Sequence, residues 1–173
     1  MLAVLLVFAG HFTFFTYIRP FLENITSVGI EGVTMILFGF GLANFAGTYL
    51  VAFVIERSLR LALLMMPLIM AVIALLLSTI GGTALLDALL IAFWGLVFAG
   101  VPVSWSTWIT RALPDEAESG GGLIVAAINF AIATGAGLGG ALLEFTGPRS
   151  VFLASGIILI VAVVTIAGRV RPE

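Results

Sequence analysis

Six apolar stretches occupy most of this 173-residue sequence and limit what it can fold into. They lie at 1–18, 34–55, 61–80, 84–109, 122–145 and 150–168. Each is close to the roughly 20 apolar residues that an α-helix needs to cross a bilayer. The pattern predicts an all-α, polytopic membrane protein with six transmembrane helices, here called spans 1 to 6. We expect them to form a single transmembrane domain over residues 1–173.

Composition supports this class and argues against several others. Hydrophobic residues make up 62% of the chain and charged residues 9%, against about half and a quarter in soluble domains. With no cysteine and one histidine, the chain has no thiol nucleophile and no common zinc-site pattern. The net charge of −2 is too small and too dispersed to suggest a nucleic-acid partner. We therefore expect no metal, no cofactor and no nucleic acid.

The arginine distribution predicts the orientation in the membrane. Six spans place both termini on one side, and cytoplasmic loops carry an excess of Lys and Arg. Five of the seven cations lie on the side of the termini: Arg57, Arg60, Arg111, Arg169 and Arg171. The other side carries Arg19 and Arg149. We therefore expect both termini in the cytoplasm.

Rows of small residues predict where helices touch, since such rows let helix backbones approach closely in lipid. Span 2 has one such row, at Gly39, Ala43 and Gly47. Span 5 has a first row at Ala127, Ala131, Gly135 and Gly139. It has a second row at Ala133, Gly137 and Ala141. We expect span 5 to be tightly packed on two sides.

Span 1 is the most polar of the six and contains His11, Thr16 and Tyr17. An ionisable residue inside a membrane is a functional hypothesis by default. An imidazole titrates near neutral pH, so His11 can carry or sense a proton. The alternative is a neutral histidine that is hydrogen-bonded to a neighbouring helix. His11 is expected to face the interior of the bundle or an interface with a second half of the protein, not lipid.

Span 4 carries an acid and an aromatic stripe. Asp87 lies about one turn inside the span, where a first-turn acid favoured by the helix dipole is the simpler interpretation. Six further residues follow it at helical spacing: Ile91, Trp94, Phe98, Val101, Trp105 and Trp108. Such a stripe can line a cavity for a flat ligand, so we expect the Trp94 ring to be exposed on that wall. The alternative is that Trp94 packs against span 1 or faces lipid.

Asn44 and Asn129 lie in the middle of spans 2 and 5. A buried amide must find a hydrogen-bond partner or face water. Inter-helix hydrogen bonding and substrate contact both satisfy that requirement. Both residues therefore stay candidates for substrate binding.

Three stretches resemble a known family: 15–23 (FTYIRPFLE), 100–119 (GVPVSWSTWITRALPDEAES) and 139–152 (GGALLEFTGPRSVF). They are similar to the end of span 7, the span 10–11 region and the span 11–12 turn of bacterial Major Facilitator Superfamily transporters. The likeness is to the drug:proton antiporter subgroup, which includes sugar and purine-nucleoside efflux permeases.

Residues 52–60 resemble the second-half copy of the superfamily's cytoplasmic loop signature, Gly-x-x-x-Asp-Arg-x-x-Arg. Arg57 and Arg60 occupy the two arginine positions. Ala52 stands at the glycine position and Glu56 at the aspartate position. These departures weaken the inference that the loop keeps the family's gating contacts.

The resemblance implies the C-terminal six-helix half of a twelve-helix fold. Such transporters bind substrate between two halves near the midplane and expose it alternately to each side. The implied function is proton-coupled export of small molecules across the bacterial inner membrane. The implied partners are the lipid bilayer, a missing N-terminal half, a small-molecule substrate and protons. We expect the chain to be a fragment of such a protein. The alternatives are a half-size carrier that acts as a dimer and a non-transporting membrane subunit.

A six-span intramembrane protease is a further alternative, which the sequence disfavours. That chemistry requires a Gly-x-Ser-Gly nucleophile motif and a histidine on another helix. The Ser-Gly pairs are Ser119–Gly120 and Ser155–Gly156, and neither has the leading glycine. We expect no enzymatic activity and no catalytic residues.

Overall fold

The computed structural model describes residues 1–112, 114 and 117–169, and the side chains of all of these except 117–119 and 169. The described residues form eight helices and no strand. The helices are α1 (Leu2–Phe15), α2 (Ile18–Asn24), α3 (Ile30–Arg57), α4 (Leu59–Ile80), α5 (Ala84–Phe98), α6 (Gly100–Ala112), α7 (Ala117–Thr146) and α8 (Pro148–Arg169).

Taken together, α1 and α2 make one apolar segment, and α5 and α6 make another. The described part of the chain therefore holds six segments that are long and apolar enough to span a membrane. This confirms the predicted all-α, six-span fold. The assignment of all 173 residues to one domain stays a prediction.

Two of the six segments are interrupted, one between α1 and α2 and the other between α5 and α6. Each interruption lies four residues before a proline. α1 ends at Phe15, and the next residue, Thr16, is four positions before Pro20. α5 ends at Phe98, four positions before Pro102. Proline has no N–H for the carbonyl four residues earlier, and its ring crowds that carbonyl. The two prolines account for the two interruptions, whereas Pro67 lies inside α4 without interrupting it.

The helices are unequally buried. α1 packs against α7 and α8, α4 packs against α8, and α3 packs against α5. In the most apolar stretch of α3 and of α7, only 17% of the residues are buried, against 39–50% in the other four segments. α3 and α7 therefore present most of their surface outside the bundle.

Glycines bring α3 and α5 close together. A Cβ on Gly47 would overlap the carbonyl group of Leu96. A Cβ on Gly95 would lie 2.6 Å from the carbonyl oxygen of Phe40. Any larger residue at either position would push the two helices apart. The packing predicted for the row of span 2 is thus present at Gly47, whereas nothing lies within 4 Å of a Cβ placed on Gly39.

The first row of α7 packs in the same way against α1. Ala131 is fully buried, and a Cβ on Gly135 would lie 2.5 Å from the carbonyl oxygen of Ala9. Gly139 lies against the ring of Tyr17. The predicted packing of this row is confirmed.

The second row of α7 is exposed. Ala133, Gly137 and Ala141 all lie on the surface, and nothing lies within 4 Å of a Cβ placed on Gly137. The prediction that span 5 packs tightly on two sides is therefore wrong for this chain alone. The reason is that none of the described helices covers this face.

Arg149, at the start of α8, closes the end of the bundle at the α4–α5 turn. Its Nη1 donates to the carbonyl oxygens of Ser78 and Thr79, both at 3.0 Å. Its Nη2 donates to the carbonyl oxygen of Gly81 at 2.7 Å. The last carbonyls of a helix have no partner within the helix, and a cation there also complements the helix dipole. Arg149 thus holds α8 to the end of α4.

We predict that Arg149→Met lowers the free energy of unfolding in detergent by about 1–3 kcal/mol, because three carbonyls lose a charged donor. Chemical unfolding followed by circular dichroism measures this. The control is Arg19→Met, which removes an exposed ion pair with Glu23. Such a pair should contribute about 1 kcal/mol or less to the free energy of unfolding. Equal effects of the two changes would contradict the assigned role.

Candidate functional site

A buried histidine–tryptophan pair joins α1 to α5 at the centre of the bundle. Trp94 Nε1 donates to His11 Nδ1 at 3.0 Å, and the two residues are 0% and 2% exposed. An indole nitrogen can only donate, so Nδ1 must be unprotonated. The geometry therefore describes a neutral imidazole with its proton on Nε2. His11 lies inside the bundle, as the sequence analysis expected.

Aromatic rings surround this pair. The His11 ring stacks on Phe98 with centroids 3.3 Å apart and planes 2° apart. Trp94 stacks on Phe14 at 3.8 Å. Phe15 lies nearly parallel to His11 at 5.4 Å and is 38% exposed. Phe15 is therefore the member of the cluster that meets the outside of the bundle.

The predicted exposure of Trp94 on a cavity wall is wrong. Trp94, Ile91 and Asp87 are completely buried, and Val101 and Trp105 are each 2% exposed. The stripe is the packing face of α5 and α6. Aromatic residues at helical spacing bury a large area, and the Trp94 N–H finds its partner on α1. Trp94 is thus connected to the candidate site through its hydrogen bond to His11.

Asp87 is a fully buried carboxylate in the first turn of α5. Its Oδ2 accepts from Thr26 Oγ1 at 2.6 Å and from the Gly82 backbone N–H at 3.0 Å. Its Oδ1 is buried and has no hydrogen-bond partner among the described residues. Asp87 thereby ties the α2–α3 loop to the α4–α5 turn. Thr26 lies outside the predicted spans, and no feature of the sequence pointed to it.

The polar residues of span 1 face different ways. Tyr17 Oη donates to the Ala136 carbonyl oxygen at 2.6 Å. Thr13 Oγ1 lies 3.1 Å from the Gly135 carbonyl oxygen and contacts its own helix as well. Thr16 is exposed on the surface of the bundle. Tyr17 therefore has a structural contact with α7, whereas Thr16 is accessible.

The two mid-span asparagines also differ. Asn44 Nδ2 donates across to the Gly95 carbonyl oxygen on α5 at 3.0 Å, which is the inter-helix alternative. Asn129 is exposed, and its Nδ2 donates to the Val125 carbonyl oxygen on its own helix. Asn129 thus keeps its side-chain oxygen on the outer surface of α7.

The loop signature lies at the turn between α3 and α4. Glu56, Arg57 and Arg60 are all exposed. Ser58 ends α3 in an extended conformation and caps α4, since its Oγ accepts from the Leu61 backbone N–H at 3.2 Å. Within the described residues, no three His, Cys, Asp or Glu side chains lie close enough together to hold a metal ion.

We predict that Trp94→Phe lowers the free energy of unfolding by about 1–3 kcal/mol, because His11 Nδ1 then stays buried without a donor. Denaturant titration in detergent is the measurement. The control is Trp108→Phe, at a half-buried ring whose N–H has no hydrogen-bond partner in the described part of the chain. In a His11→Leu background the loss caused by Trp94→Phe should largely disappear. An undiminished loss in that background would show that the hydrogen bond is not its cause.

Comparison with known proteins identifies the family. The profile of the Major Facilitator Superfamily matches residues 1–173. The purine ribonucleoside efflux pump NepI of Escherichia coli (strain K12) and that of Shigella flexneri are each 43% identical to this chain over 171 residues. NepI of Escherichia coli O1:K1 / APEC is 41% identical. These alignments cover 99% of this chain and 43% of each pump, so the chain spans less than half the length of these relatives. No solved structure matches it. The chain is a multi-pass membrane protein that belongs to the Major Facilitator Superfamily.

Proposed function

We propose that this chain is the C-terminal half of a proton-coupled secondary transporter that exports small molecules across the inner membrane by alternating access. The observation that carries the proposal is the pair of under-buried helices, α3 and α7, in a chain that spans 43% of its relatives. Transporters of two halves enclose their substrate between them near the midplane. One half offers only one wall of that cavity.

The exposed faces of α3 and α7 suit a second half. The exposed row of α7 consists of small residues, which favour close approach of another helix over contact with lipid alone. α3 presents a row of large apolar residues on its outer surface: Met35, Phe38, Leu42, Phe45, Tyr49 and Phe53. In the complete protein, parts of both faces would contact the missing N-terminal half.

The substrate we propose is a flat, polar heteroaromatic solute such as a purine ribonucleoside, the solute after which the related pumps are named. Phe15 offers a partly exposed ring beside Phe40 of α3, with centroids 5.3 Å apart. Thr16 is exposed next to it and supplies a hydroxyl. Stacking on Phe15 with hydrogen bonding to Thr16 fits a base with polar edges. Asn129, exposed on α7, stays a separate candidate for substrate contact.

His11 is the proposed proton carrier, with Asp87 as the second candidate. Protonated imidazole donates from both nitrogens, so it cannot accept the hydrogen bond from Trp94. Protonation of His11 would thus disturb the contact between α1 and α5 directly behind Phe15. This gives a physical route from a proton to the proposed substrate wall.

Both termini are proposed to lie in the cytoplasm, because five of the seven arginines fall on that side in the predicted topology. The loop that holds Glu56, Arg57 and Arg60 would then be cytoplasmic. A reporter fused after Glu173 should be active in the cytoplasm only. Activity in the periplasm would overturn this orientation.

We predict that the purified chain alone catalyses no purine ribonucleoside flux in liposomes, because one half cannot enclose a midplane site. Co-reconstitution with an N-terminal six-helix half should produce flux that a proton gradient drives and a protonophore abolishes. The control is the same N-terminal half alone. Flux by the chain alone, together with crosslinking to a homodimer, would instead support the half-size carrier.

We predict that Phe15→Ala in the paired transporter raises KM for a purine ribonucleoside by about tenfold, the effect of losing one base–aromatic stack. Phe15→Tyr should leave KM nearly unchanged, since it keeps the ring. The matched control is Phe145→Ala, at a ring that is 81% exposed near the end of α7. An unchanged KM for Phe15→Ala would remove Phe15 from the substrate wall.

A further inference from the structure

An apolar groove lies between α3, α4 and the α5–α6 segment, away from the histidine–tryptophan pair. It encloses about 210 Å³, and all of its lining residues are apolar. Gly47 and Gly100 lie among them, and Leu50, Met65 and Phe93 are 40–49% exposed at its opening. The groove is thus open on one side.

The shape of the groove limits what it can hold. A transmembrane helix with its side chains is about 10 Å wide, too wide to enter a cleft of this volume between neighbouring helices. The wall along α3 runs from Gly47 to Val54, about 10 Å at 1.5 Å per residue. A narrow, flexible hydrocarbon chain fits such a cleft, and membrane phospholipids supply one.

A positive charge lies at one end of the groove. Leu50, Val54 and Arg57 recur at spacings of four and three residues, so they share one face of α3. Arg57 is exposed one turn beyond Val54, at the end of the helix. Arg60 is exposed in the first turn of α4 and adds a second cation at the same level. Glu56 lies about 100° around α3 from Arg57 and therefore off this face.

We propose that this groove binds one acyl chain of an anionic phospholipid whose phosphate headgroup lies at Arg57 and Arg60. Basic residues between transmembrane helices on the cytoplasmic side are a recognised setting for anionic headgroups. The apolar lining accepts the chain, and the arginines select the charge of the headgroup. The site is separate from the proposed substrate wall at Phe15 and does not depend on the transport proposal.

The test uses photocrosslinking of the 173-residue chain in phosphatidylcholine nanodiscs. The probe is phosphatidylglycerol with a diazirine on its acyl chain, and the comparison is the same probe with a phosphatidylcholine headgroup. Mass spectrometry maps the labelled residues. We expect phosphatidylglycerol to label the groove walls at 47–54 and 62–69 about fivefold more than phosphatidylcholine does, as expected for an arginine near an anionic headgroup.

Two pairs of variants separate the headgroup from the chain. Replacing both Arg57 and Arg60 by Gln should reduce groove labelling by phosphatidylglycerol to the phosphatidylcholine level, whereas Arg19→Gln at the other end of the bundle should not. Leu50→Trp should fill the opening and abolish groove labelling by both probes, whereas Phe45→Trp, at an exposed position on the opposite side of α3, should not. Circular dichroism melting checks that each variant is folded.

Three outcomes would overturn the proposal. Equal labelling by both probes would show that the headgroup is not selected. Labelling that persists in Leu50→Trp would place the lipid on another surface. An unlabelled groove in the folded wild-type chain would show that no acyl chain enters it.

Discussion

A polar group inside a bilayer has no water to bond to, and several of the contacts between helices in this chain follow from that constraint. Three buried or half-buried side chains cross to another helix and donate to the carbonyl oxygen of a glycine. Thr13 bonds to Gly135, Asn44 to Gly95 and Ser155 to Gly10. A glycine has no side chain to cover its carbonyl, so a neighbouring helix can come close enough to use it. The small residues therefore let two helices approach closely, and the polar side chains then form the hydrogen bonds between them.

The sequence predicted the elements of this arrangement well and their partners poorly. The six spans follow from apolar length, and the close approach at Gly47 and Gly135 follows from small-residue spacing. The partner of each polar residue depends on how the helices are rotated and ordered, and the spacing of residues along one helix does not determine that. Asp87 shows this: its first-turn position was predictable, but its bond to Thr26 in a distant loop was not.

Trp94 shows a second limit. Helical spacing identifies a face of a helix but does not distinguish a packing face from a cavity wall, because both are apolar and aromatic. The indole N–H and His11 are complementary, one a donor and the other an acceptor. That complementarity is visible only when α1 and α5 are placed side by side. The prediction for the second row of α7 failed for the same reason, since a row of small residues does not indicate which helix will cover it.

The histidine–tryptophan pair lies beside both interruptions of the helical segments. Phe15 is the last residue of α1 and Phe98 is the last residue of α5, and His11 stacks near both rings. Phe98 is four residues before Pro102, and Phe15 precedes Thr16, which is four residues before Pro20, so a proline has removed a backbone hydrogen bond at or next to each of these two rings. A helix bends most easily at such points. A solute that contacts Phe15, or a proton that breaks the bond between Trp94 and His11, would therefore act where α1 and α5 resist bending least.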